Sequence, residues 1–167
     1  LGYGDGDEQT VVDYGSDQEN KYVTTYFRHA FTLEDSLRFE ELTARLLCDD
    51  GAVVYLNGHE IIRFNMPQGE ISYDTYASDY LDGQQESAFR SFIIPDSLLK
   101  AGTNLLAAEI HQANSSSSDI SFDFGLSGTL FTEDTAHVIG TAQKLDYKLK
   151  GDDTGIKAHF EEAPSDS

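Results

Sequence analysis

The sequence has one cysteine, Cys48, and no tryptophan among its 167 residues. A single thiol excludes an internal disulfide, so the fold must rest on burial. A chain of this length can bury a real core as one domain, with at most a small appendage. Cys48 continues the alternation of Leu42, Ala44 and Leu46. It reads as a small core residue rather than a reactive thiol, since free cysteine is among the most buried residue types. Positive charge is also scarce: 11 Lys and Arg stand against 30 Asp and Glu, a net charge of −19. With so few cations the chain is unsuited to nucleic acid, which demands Lys and Arg to displace counterions, and to anionic membrane surfaces. No apolar run reaches the ~18 residues of a spanning helix. No leader pattern is visible, and the chain opens on Leu1, which reads as a mature or excised segment of something longer. Long 3.6-residue periodicity is missing, as are internal repeats.

What the sequence has is strands. Thr10–Tyr14 reads as a short one. Tyr22–Leu33 is rich in β-branched and aromatic residues, with Tyr22, Thr24, Tyr26, Arg28 and Ala30 on one face and Val23, Thr25, Phe27, His29 and Phe31 on the other. His29 reads as a core or rim histidine, because no second His stands at metal spacing. Leu42–Cys48, Ala52–Leu56 and His59–Asn65 follow, joined by Asp49-Asp50-Gly51 and by Asn57-Gly58. The latter pair suits a type I′ hairpin turn, which needs positive φ at both central residues. Ala88–Pro95, Asn104–Gln112 and Asp119–Phe131 complete the set. Asp96–Gly102 reads as one capped helical turn closed by glycine. Leu106, Ala108 and Ile110 point one way, and Leu105, Ala107, Glu109 and His111 the other. Ile120, Phe122, Phe124 and Leu126 alternate into the core. Ser121 and Asp123 face away, beside Glu109 and His111 if those strands pair. Strands at eight- to twelve-residue spacing with turn signals between them predict an all-β sandwich.

Several polar stretches are candidates for function. The loop Leu1–Glu8 gathers Asp5, Asp7 and Glu8 among glycines. It reads equally as a solvated loop and as a set of hard oxygen ligands for calcium. Residues 70–87 form a long polar loop carrying Tyr73, Tyr76 and Tyr80. Its tyrosines either tack the loop onto the sheet or stack on sugar rings through their apolar faces. Ala113–Ser118 is a Ser-rich loop with one glycosylation sequon at Asn114-Ser115-Ser116. Beyond Phe131 the composition changes. Residues 132–167 read as an acidic C-terminal extension, either an appended hairpin around Gly151–Gly155 or a linker.

The segments CDDGAVVYLNGHEIIRFNMP, PDSLLKAGTNLLAAEIHQAN and SSDISFDFGLSG, in that order, resemble galactose-binding-like jelly-roll domains of secreted bacterial multidomain proteins. YGDGDE and KYVTTYFRHAF upstream fit the same group. VYLNG and LLKAGTNLLAAEI also look like the sugar-binding jelly roll of family 2 glycoside hydrolases. The resemblance runs from about Gly2 to Leu130. It implies a jelly-roll β-sandwich of two antiparallel sheets over residues 1–131. It implies a structural Ca²⁺ held between the N-terminal acidic loop and the final strand, on Asp5, Asp7, Glu8 and Asp123. It implies a sugar site either at one end, with Asp49, Asp50, Asn114 and the tyrosine loop, or on the concave face, with Arg63, Glu109 and His111. The chain departs from typical carbohydrate-binding modules in having no tryptophan, so Tyr73, Tyr76 or Tyr80 would provide the stacking platform.

These readings converge on a non-catalytic carbohydrate-binding or adhesion module of an extracellular protein. Its partners would be a polysaccharide or glycan and the neighbouring domains of a longer chain. The alternative is a calcium-stabilised spacer or protein-interaction domain beside a catalytic domain. An enzyme is the third option. Glu109, His111 and Asp123 can be drawn as an acid–base set. However, no nucleophile elbow, HExxH, P-loop or dinucleotide fingerprint is present.

Overall fold

The computed structural model describes residues 1–4, 6, 10–34, 38–132, 141–151 and 158–162, with side chains to residue 129. Its strands are β1 (Gly2–Tyr3), β2 (Thr24–Leu33), β3 (Phe39–Asp49), β4 (Gly51–Leu56), β5 (His59–Phe64), β6 (Arg90–Ile93), β7 (Gly102–His111), β8 (Ile120–Thr132), β9 (Thr141–Gly151) and β10 (Ala158–Glu162). All named pairs are antiparallel. The front sheet has the order β2-β7-β4-β5. The back sheet has the order β10-β9-β8-β3-β6, with β1 also on β8. From β1 to β8 the chain changes sheet at every connection except the β4–β5 hairpin, which is the jelly-roll winding of a β-sandwich.

Period-two alternation explains the core. Leu42, Ala44, Leu46 and Cys48 of β3 and Ile120, Phe122, Phe124 and Leu126 of β8 are buried from the back sheet. Leu106, Ala108 and Ile110 of β7 and Ala52, Val54 and Leu56 of β4 meet them from the front. Phe27 of β2 stacks on Phe122 with ring centroids 4.7 Å apart, tying the two sheets together. Phe124 has no exposed surface. Cutting such a side chain to Ala costs about 3–5 kcal/mol through lost burial and the cavity left behind.

Asn57-Gly58 forms the expected turn, with φ of 53° and 84° and Leu56 opposite His59. The Asn57 side chain then locks the hairpin to its surroundings. Its Nδ2 donates to Leu98 O and Asn104 Oδ1, both at 2.8 Å, and its Oδ1 accepts from Leu105 N at 2.9 Å.

Several expectations need correction. The turn expected at Asp49-Asp50-Gly51 does not join paired strands: β3 and β4 lie in different sheets, so this corner carries the chain across the sandwich. Thr10–Tyr14 makes a single bridge, Gly2 to Val11, rather than a strand. The helical turn is a 3₁₀ turn over Asp96–Leu98 with Pro95 at its N-cap and no side-chain cap. β8 does not pair with β7, because β3, β1 and β9 take its edges. Ser121 and Asp123 are therefore on the back sheet, away from Glu109 and His111. In the C-terminal extension β10 pairs with β9, Ala158 opposite Gly151, while residues 152–157 lie outside the described residues.

Candidate functional site

Alternation turns Tyr26 of β2 and Glu109 and His111 of β7 to the outer face of the front sheet. Register then sets them in rows. Tyr26, Glu109, Val53 and Arg63 lie opposite one another across the four strands. The next row holds Thr24, His111 and Gly51. The tyrosine loop crosses this second row. Met66 and Ala77 pack on Val53 in a small apolar cluster. Gly51 makes room for them: a Cβ there would lie 2.6 Å from Met66 Sδ and 2.9 Å from Ala77 Cβ.

Three hydrogen bonds latch the loop to the sheet. Thr24 Oγ1 donates to Tyr73 O at 2.5 Å, Ala77 N donates to Gln112 O at 2.9 Å, and His111 Nδ1 lies 2.7 Å from Thr75 O. A carbonyl can only accept, so Nδ1 carries the proton. The Thr24 hydroxyl, whose own proton is directed at Tyr73, accepts from the same nitrogen at 2.9 Å. Nε2 is then the bare nitrogen of a neutral ring. Burial holds the His111 pKa below its ordinary value, outweighing the Thr75 bond and the neighbouring Glu109 carboxylate. His111 is fully buried, and among the described residues its Nε2 has no hydrogen-bond partner.

Glu109 sits where the covered and open parts of the face meet. Its Oε2 lies 3.5 Å from His111 Nε2, and its Oε1 accepts from the Tyr55 hydroxyl at 2.7 Å. Burial first, then the Glu109 carboxylate, raises the Tyr55 pKa. Tyr26 and Tyr73 are 49% and 43% exposed. Burial raises the Tyr26 pKa most, followed by Glu109, Tyr73 and Asp74. For Tyr73 the order is burial, Tyr22 and Asp74. The aromatic edge of this face therefore lies among carboxylates. Arg63 is engaged elsewhere: Glu60 holds its Nε and Nη2 at 2.8 and 2.6 Å, and Pro67 O accepts from Nη1 at 2.7 Å.

The other expected cluster, at the end of the sandwich, is built differently. Asp49 and Asp50 are both buried. Asp50 Oδ1 accepts from Leu81 N at 2.8 Å and Oδ2 from Ala113 N at 2.7 Å, so both oxygens are occupied by backbone. Asn65 Nδ2 donates to Asp50 O at 3.1 Å and to Asp79 O at 2.7 Å, fixing the loop end to the same corner. Among the described residues Asp49 Oδ1 has no hydrogen-bond partner, and the Asp49 pKa is pushed up to about 9, by burial first and then by Asp50. Such a carboxyl is neutral at pH 7. Gln112 Nε2 donates to the Tyr3 hydroxyl, which anchors β1 against the same end. Asn114 is exposed, and its Oδ1 accepts from Ser116 N and Oγ, both at 3.0 Å, in a local turn.

The structure thus brings Tyr73, Glu109 and His111 together, with Arg63 in the same row as Glu109. The Asp49–Asp50 corner adjoins them, since Gly51 is the register partner of His111, but the Asp50 carboxylate is turned to the Leu81 and Ala113 N–H groups, and Asn114 follows that Ala113. Tyr76 and Tyr80 are exposed on the same loop. Of the calcium ligands that the resemblance implies, Asp5, Asp7 and Glu8 lie outside the described residues. The register seats Tyr3 opposite Ile120, so the chain leaves β1 past Asp119, four residues along β8 from Asp123. Among the described residues no three His, Cys, Asp or Glu side chains converge as a metal site. An apolar void of about 10 Å³ beside Phe39 and Leu126 is too small for a ligand.

Sequence reading did not single out Thr24, Tyr26 or Tyr55. The alternation of β2 already placed Thr24 and Tyr26 on one face. Which strand lay beside them, and with it the meeting of Tyr26 and Glu109, depended on long-range pairing.

Comparison with protein-family models gives no match, and comparison with curated proteins gives none either. Among solved structures the chain is similar to part of an α-L-rhamnosidase from Streptomyces avermitilis, at 15% identity and a TM-score of 0.45 over 86% of this chain. It is also similar to part of an α-L-rhamnosidase from Dictyoglomus thermophilum, at 10% identity and a TM-score of 0.41 over 79% of this chain. A third likeness is to an α-L-rhamnosidase from Aspergillus terreus, at 13% identity and a TM-score of 0.41 over 86% of this chain. The chain spans only 12%, 14% and 16% of the lengths of these enzymes.

Proposed function

We propose that this chain is a non-catalytic glycan-binding module of an extracellular multidomain protein, and that it binds on the outer face of the front sheet. The observation that carries the reading is the row in which half-exposed Tyr26 stands opposite Glu109, with Tyr73 held beside it by the Thr24 hydroxyl. Tyrosine faces cover the apolar side of a sugar ring, and a fixed carboxylate accepts from its hydroxyls. Glu109 acts as an anchor, its Oε1 positioned by the Tyr55 hydroxyl. Affinity electrophoresis against a panel of polysaccharides tests this. Retardation by at least one glycan, weakened by Tyr26→Ala, supports it; unretarded migration across the panel overturns it.

The same reading keeps calcium as a stabilising ion at Asp5, Asp7, Glu8 and Asp123, whose carboxylates are the hard oxygen donors this cation prefers. Adding calcium to chelator-treated protein then raises the melting temperature; superimposable melting curves argue against it. A second reading, a spacer packed against a neighbouring domain, draws on the back sheet, where Ile93 is 79% and Phe89 44% exposed. It predicts no glycan retardation, and burial of these two side chains when the adjoining domain is present.

A further inference from the structure

Resting on the glycan reading, we infer that the front-sheet site is selective for sugars bearing a positive charge, an amino sugar with a free ammonium group.

Tyr22, Thr24 and Tyr26 alternate along one side of the chain entering β2. The Thr24 hydroxyl holds the Tyr73 backbone between the two outer tyrosines. All three rings are close to half exposed: Tyr22 at 47%, Tyr26 at 49% and Tyr73 at 43%. Three aromatic faces on one edge are attractive to a cation, because the ring quadrupole presents negative charge on its face.

The polar groups agree in sign. Glu109 is the register partner of Tyr26, and Asp74 follows Tyr73 in the chain. Glu109 Oε2 lies 3.5 Å from His111 Nε2, a buried bare nitrogen that has no proton to give it. That carboxylate oxygen is therefore the acceptor left for a ligand's donor. An ammonium group carries three donors and a charge, whereas a hydroxyl on a neutral ring has one donor and no charge.

The cations nearby do not cancel this. Arg63 is paired with Glu60. Arg28 is exposed and stands two residues beyond Tyr26, opposite Ala107 rather than Glu109. A divalent metal fits the site poorly, because aromatic rings do not replace the oxygen shell such an ion needs.

The test uses the full chain and two probes of equal length, a chitosan oligosaccharide and its fully N-acetylated counterpart. Both are titrated by calorimetry at mildly acidic pH, where the amines are charged. The expected result is that the amine form binds about tenfold more tightly. Tyr26→Ala and Glu109→Gln should each remove most of that preference. Both variants are mild: Tyr26 is half exposed, and the glutamine can still accept from Tyr55. Equal affinity for the two probes, or tighter binding of the acetylated one, overturns the inference and leaves the glycan reading standing. An amine preference unchanged in both variants shows diffuse attraction to an acidic protein, and also overturns it. Silence from both probes, when another glycan of the panel binds, overturns the inference alone. Silence from every glycan overturns the underlying reading as well.

Discussion

Asp50 and Glu109 are both buried acids on the same sandwich, yet one belongs to the architecture and the other to the candidate site. Asp50 gives both oxygens to backbone N–H groups of two different loops. Glu109 is held by a side chain, the Tyr55 hydroxyl, at the margin of an exposed aromatic surface. Partner type separates the two roles. A carboxylate saturated by backbone donors fixes chain crossings and has nothing left to offer a ligand. A carboxylate positioned by side chains beside half-open rings can still recognise one.

The largest effect expected from this contrast is on stability. Asp50→Ala leaves the Leu81 and Ala113 N–H groups without their acceptor, at a cost of roughly 3 kcal/mol. Glu109→Gln should cost less than about 1 kcal/mol, since the Tyr55 bond survives. Urea denaturation of the two variants checks this, and equal losses would break the distinction between the two acids.

Gly51→Ala comes next. Its Cβ collides with Met66 and Ala77, and overpacking of this kind costs about 2 kcal/mol. The loop should lift, so hydrogen exchange at Ala77 N–H quickens; unchanged protection there contradicts the proposed packing.

Much of this fold was legible in the sequence. Asn57-Gly58 announced its hairpin, and the alternation on β3, β7 and β8 announced the core residues, Cys48 among them. The end cluster was harder to read. Asp49-Asp50-Gly51 has the composition of a turn, and only the assignment of β3 and β4 to different sheets shows it to be a crossing. Glu109 and His111 were visible as one outward face, but their neighbours were not. Local periodicity says which way a side chain points, while pairing between distant strands decides what it meets. That is why Tyr26 and Tyr55 were passed over and Asp123 was set beside the wrong strand.

The Asp49 corner should also show itself in pH dependence. Its ordinary pKa of 3.8 is raised to about 9 in the folded chain. The folded state therefore holds a proton that the unfolded state releases. The resulting stabilisation is complete below about 3.8 and is lost as pH rises through about 9. His111 has the opposite sign: its lowered pKa supplies stability above the ordinary 6.5 that is lost as pH falls through the folded value. Asp49→Asn should flatten the loss that runs from about 3.8 to about 9 and leave the His111 effect in place. Parallel melting profiles for variant and parent from pH 5 to pH 9 would remove Asp49 from the account.

A smaller effect is expected at the latch. Thr24→Val loses the bonds to Tyr73 and His111, about 1 kcal/mol, and should weaken glycan binding by loosening Tyr73. Full binding in a folded Thr24→Val chain would show that the loop position does not matter.

Where a ligand lands separates the front-sheet face from the other surfaces of the sandwich. In an NMR titration of the labelled chain with the chitosan oligosaccharide, the account predicts shift changes centred on Tyr26, Tyr55, Tyr73 and Glu109, with Asp49, Asp50 and Ala113 unmoved. Changes centred on the Asp49–Asp50 corner and Asn114, or on the outer face of the back sheet around Ile93, would contradict it.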